Sequence, residues 1–71
     1  MLMYKVTIKL NSASTEEIKK YCSIMKDERV RGAGRDGNTA IIFVRQTEPI
    51  NRVELSNIVN GFIIINVSEL S

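Results

Sequence analysis

The sequence predicts an α+β fold of the ferredoxin-like kind. The expected order is βαββαβ: a four-stranded antiparallel sheet in spatial order 4-1-3-2 with two helices on one face. Three observations carry this. Strand-like apolar runs stand at both ends and in the middle of the chain, with segments of helical spacing between them. Ser14 with Glu17, and Asn51 with Glu54, are capping patterns that mark two helix starts. Asp36-Gly37 separates two strand-like runs and reads as the turn of a hairpin. A split βαβ topology holds that order, and right-handed crossovers put both helices on the same side.

The first strand is read from Tyr4, Val6, Ile8 and Leu10, which alternate with Lys5, Thr7 and Lys9. Period two with one polar face is the mark of a half-buried strand. A short loop at Asn11, Ser12 and Ala13 follows. The first helix runs from Thr15 to about Lys26, with Ile18, Tyr21, Cys22 and Met25 forming its apolar stripe. A turn at Asp36 and Gly37 sets Ala33 opposite Ala40, Arg31 opposite Ile42 and Arg29 opposite Val44. Val30, Gly32 and Gly34 then share the other face with Thr39, Ile41 and Phe43. That second set is expected on the core side, where small glycines let a helix approach closely. Pro49 ends the third strand, because it cannot donate to a ladder. The second helix is read over about Asn51 to Asn60, buried through Val53, Ile58 and Val59 and flanked by Leu55. Gly61 takes the C′ position that stops it. Phe62 to Val67 is a last strand, apolar on both faces.

Length and composition bound the function. With 71 residues the chain reads as one domain over 1–71, near the size at which a core must hold itself without staples. The net charge of +2 announces no electrostatic grip on nucleic acid by itself. One cysteine, Cys22, allows no internal disulfide, so the expected setting is reducing and cytoplasmic (the host cytoplasm for a viral protein). The N-terminal residues lack a signal peptide's apolar core, and no run reaches the roughly 20 residues of a membrane helix.

Catalytic and cofactor chemistry are poorly provisioned. The chain has no histidine, the usual proton carrier at neutral pH. Its carboxylates sit at helix starts and strand ends, where capping and dipole roles explain them. Cys22 reads as a packed thiol with no imidazole partner. Gly32, Gly34 and Gly37 spell G-x-G-x-x-G, but a strand follows where a dinucleotide site needs a helix. No enzyme activity, catalytic residue, cofactor or metal is expected. Proteins that read RNA on a sheet face stack bases on aromatics of the first and third strands. Phe43 and Tyr4 are the candidates there, and both are expected to point inward.

The candidate partner-binding surface is the sheet face away from the helices. It is expected to hold Lys5 and Lys9 from the first strand, Arg29, Arg31 and Arg35 from the second, Ala40, Ile42 and Val44 from the third, and Phe62 and Ile64 from the last. An apolar centre with a basic rim is the composition of many protein interfaces. The leading expectation is a non-enzymatic protein-binding module, homodimeric, of the kind that viral or mobile-element inhibitors and adaptors use against nucleic-acid-handling complexes. The alternatives are nucleic-acid binding by the same basic rim, and a dimeric domain that regulates by binding a small ligand. No membrane partner is expected.

Overall fold

A computed structural model describes residues 2–11 and 14–70 of the chain. The elements are β1 (Leu2–Lys9), α1 (Thr15–Ile24), β2 (Val30–Asp36), β3 (Thr39–Gln46), α2 (Arg52–Ile58) and β4 (Ile63–Glu69). They form one antiparallel sheet in the order β2-β3-β1-β4, the expected order read from the other edge. The fold is thus the βαββαβ arrangement that the chain's punctuation predicts. The expected loop residues Ser12 and Ala13 lie outside the described residues.

Both helix starts follow their capping patterns. The backbone N–H of Glu17 donates to Ser14 Oγ at 3.2 Å, and that of Glu54 to Asn51 Oδ1 at 2.9 Å. Each satisfies one amide that the first turn leaves without a helical partner. The Glu17 carboxylate accepts from the Asn11 N–H at 3.3 Å, so it also pins the loop entering α1. The end of α2 differs from expectation by one residue. Asn60, at φ 56°, occupies C′, and its N–H donates to Asn57 O at 3.2 Å. Gly61 follows with its N–H on Ser56 O at 3.1 Å, completing a Schellman motif.

The core is one cluster between the helices and one face of the sheet. It joins Tyr4, Val6 and Ile8 of β1 to Ala40, Ile42 and Val44 of β3, with Leu10, Ile24, Leu55, Ile58 and Val59 laid over them. Ile24 is the buried residue of α1, while Ile18 and Met25 are exposed and Cys22 is an exposed thiol. Of the expected α1 stripe, Tyr21 does pack against the core, beside Ile24, while Ile18, Met25 and the cysteine expected to be packed are corrected to exposed positions, and the helix ends sooner. Val53 is likewise exposed, and Leu55 takes its place in the core with Ile58 and Val59.

The hairpin is built differently from the expected Asp-Gly turn. Asp36 pairs with Thr39, so Gly37 and Asn38 form the two-residue loop. Gly37 has φ 60° while Asn38 is not left-handed, the pattern of a type II′ turn with glycine first. Moving the turn by one residue slides every partner by two: Ala33, and not Arg31, lies opposite Ile42. A slip of two preserves faces, so Ala40, Ile42 and Val44 stay together as expected. The face they share is the opposite one. All three are 0% exposed beneath the helices, and Thr39, Ile41 and Phe43 lie on the open side.

This placement predicts unequal costs for the same small truncation. Ile42→Val should lower stability by about 1 kcal/mol, the usual cost of a methyl removed from a packed core, and Ile41→Val by a few tenths at most. Urea denaturation of the two variants would reverse the assignment of faces if Ile41→Val proved the more damaging.

Candidate functional site

The open face is laid out in rows fixed by the strand register. One row runs Gly32, Phe43, Lys5, Ser68 across β2, β3, β1 and β4; the next runs Gly34, Ile41, Thr7, Asn66; the third runs Asp36, Thr39, Lys9, Ile63. Met3 and Arg45 pair at the far end. Period-two alternation alone puts these side chains together, because Val6, Ile8 and their partners are committed to the core.

Phe43 sits on a central strand, half-buried, with Lys5 opposite it on one side and Gly32 on the other. A Cβ built on Gly32 would lie 3.7 Å from Phe43 Cδ2, so the ring leans over the glycine. Gly34 has nothing within 4 Å of such a Cβ. Two glycines thus leave the β2 flank of the face bare, giving Phe43 and Ile41 a shelf instead of a wall. The face carries Lys5, Lys9 and Arg45 as cations, and Asp36 at its corner as the carboxylate.

Of the expected surface, Lys5 and Lys9 are where the alternation of β1 put them. The rest is corrected. Ile42 and Val44 are wholly buried beneath the helices, where no partner can reach them. Ile64 pairs with the buried Ile8, and both Ile64 and Phe62 pack against the core, so they belong to the helix side. Ile63, expected inward, lies opposite Lys9 and is 56% exposed. Val67 does face the helix side, opposite Val6, though its edge position leaves it uncovered.

The three arginines are dispersed. Arg35 pairs with the buried Ala40, so it stands on the helix side beside Leu10, Ile18 and Tyr21, and its Nε donates to Gly37 O at 3.3 Å. Arg31 falls where the β2–β3 register shifts between Val30 and Gly32. It is the extra residue of a bulge, and that bulge lets Val30 rejoin the core side opposite Val44. Arg29 precedes β2 and is engaged in ion pairs. Its Nε and Nη2 grip the two Asp27 carboxylate oxygens at 3.1 and 2.9 Å, and its Nη1 lies 3.8 Å from Glu54 Oε2 on α2. Asp27 Oδ1 also accepts the Arg29 backbone N–H at 2.8 Å. The fork holds Asp27 below its ordinary carboxylate value and raises Arg29 above its own.

Phe43, Ile41 and Arg45 are the site residues that the sequence reading missed. The one local signal for them is the lysine-bearing face of β1, which fixes the face of β3 once the pairing between those strands is known. Among the described residues, no group of three His, Cys, Asp or Glu could hold a metal ion, and no helix is long and apolar enough to cross a membrane. No protein-family model matches the chain, and comparison with curated proteins and with solved structures finds no match either.

The Asp27–Arg29 fork generates a pH prediction. A carboxylate held below its ordinary value adds stability that is complete above that value and fades as pH falls through the lowered one. The advantage of the natural chain over Asp27→Asn should therefore be flat at neutral pH and shrink below about pH 4. It should be small, about 0–1 kcal/mol, because the Arg29 side chain is 38% exposed. Thermal melts of both proteins from pH 7 to pH 3 check it; an advantage that grew on acidification would contradict the assignment.

Proposed function

We propose that this chain is a non-enzymatic binding module that takes single-stranded nucleic acid on its open sheet face. The observation that supports this is Phe43, an aromatic ring held at the middle of the face, between the bare backbone of Gly32 and the ammonium-bearing stem of Lys5. Sheet-face readers of single strands use such rings as stacking platforms, and every base offers a π-face to one. Lys5, Lys9 and Arg45 supply cations for the phosphates, and the glycine shelf gives a base room to lie flat.

The same face is a poor core for a protein interface. Its apolar residues, Met3, Ile41, Phe43 and Ile63, are interrupted by Thr7, Thr39, Asn66 and Ser68. Interface cores are more continuous than that and carry fewer charges. The expected apolar centre of Ile42, Val44 and Ile64 is on the helix side, so a protein partner on this face has lost its main support.

The test is fluorescence anisotropy with labelled single-stranded DNA and RNA oligonucleotides. Phe43→Ala should weaken binding about 5- to 150-fold, the equivalent of roughly 1–3 kcal/mol for one stacked base. If all three cations meet phosphates, the logarithm of affinity should fall with the logarithm of salt at a slope of about −2. Lys5→Gln should make that slope shallower by about 0.7. Absence of binding at low salt, or binding indifferent to Phe43→Ala, would refute the proposal.

A further inference from the structure

The two edges of the sheet are unlike. β2 ends the sheet with a bulge at Arg31, the charges Arg35 and Asp36, and two glycines, all features that discourage another strand from adding. β4 also carries a bulge, at Ile65, but over Ile63–Ser68 it has no glycine, no proline, no lysine and no charge. β1 pairs with one side of it, and β4 is the last strand of the sheet, so its other row of amides and carbonyls is free to pair. Ile63, Ile65 and Val67 are 56%, 53% and 39% exposed along it. Beside β4, on the helix side, runs a groove lined by Ile50, Arg52 and Leu55 of the α2 region and by Ile64, Ile65 and Val67.

We infer that β4 pairs antiparallel with β4 of a second copy of this chain, about a two-fold axis at Val67. The strand is self-complementary in that register. Val67 meets its own counterpart on the helix side, and Asn66 meets Ser68 of the other copy on the open side, so polar faces polar and apolar faces apolar. Glu69 of the other copy comes opposite Ile65. Glu69 pairs with Tyr4 within its own sheet and so stands on the helix side, where Arg52 lines the groove with Ile65. Arg52 and Glu69 carry no ion pair within the chain among the described residues. The axis therefore places an unpaired guanidinium beside an unpaired carboxylate, twice. Charge complementarity and the uncharged strand both select a second copy as the occupant.

The pairing would continue one sheet across both copies. With the axis perpendicular to it, the two open faces lie on the same side, and both Phe43 rings look the same way. The dimer does not rest on nucleic-acid binding, and a monomer that bound oligonucleotide would sink this inference while leaving that reading intact.

Sedimentation equilibrium over the micromolar range tests it. The natural chain should show a monomer–dimer equilibrium. Arg52→Glu and Glu69→Arg should each raise the dimer Kd about tenfold or more, because the axis repeats the broken pair and adds repulsion. The double variant carrying both should recover most of the loss. Val67→Lys sets two ammonium groups face to face and should leave only monomer, with circular dichroism confirming that this exposed position tolerates the change. A natural chain that is monomeric throughout, or a double variant that fails to recover, would overturn the inference.

Discussion

The register between β1 and β3 is the constraint on which the rest of the structure depends. These two central strands meet with Tyr4 on Val44, Val6 on Ile42 and Ile8 on Ala40. Even-numbered residues meet even-numbered ones, so one face collects six apolar side chains and the other collects Lys5, Thr7, Lys9, Thr39, Ile41 and Phe43. Burying the second set would take two ammonium groups out of water without partners, at a cost no small core can meet. The helices therefore lie on the first face, and Phe43 is left on the second. A slip of one residue would exchange the faces of β3 and put its phenylalanine in the core.

Two bulges adjust the outer strands to that central pair. Without the extra residue at Arg31, strict alternation from Gly32 would turn Val30 toward water; with it, Val30 packs against the core opposite Val44. At β4 the register shifts between the partners of Thr7 and Ile8, so Ile64 and Val67 both reach the helix side although three positions separate them. Each bulge gives up a ladder position and allows an apolar side chain to reach the face where burial is favourable.

Polar contacts at the ends of elements then hold the layers in place. The Asp27–Arg29 fork stiffens the turn into β2, and the reach of Arg29 to Glu54 ties that turn to α2. Asn60, placed in a left-handed conformation at the end of α2, donates from its side chain to Ser23 Oγ of α1 at 2.8 Å. Tyr4 keeps its ring in the core while its hydroxyl accepts the Ile50 N–H at 3.3 Å. An arginine that looked like part of a binding rim thus belongs to the scaffold, and the β1–β3 register puts Lys5, Lys9 and Arg45 on the open face as cations.

Local chemistry in the chain was enough to determine the kind and order of the elements, both helix starts, the presence of a hairpin and the inward set of β1. Each of these depends on residues within a few positions of one another: a capping side chain three residues from its amide, glycine where φ must be positive, lysines alternating with aliphatics. The side chains that share the open face were decided only by tertiary structure. The run from Thr39 to Val44 is apolar enough on both sides that either face could be buried, and the glycines at 32 and 34 fit either side as well. What broke the tie was pairing with β1, more than thirty residues away in sequence, because the parity of a long-range register leaves no trace in the local pattern of either strand.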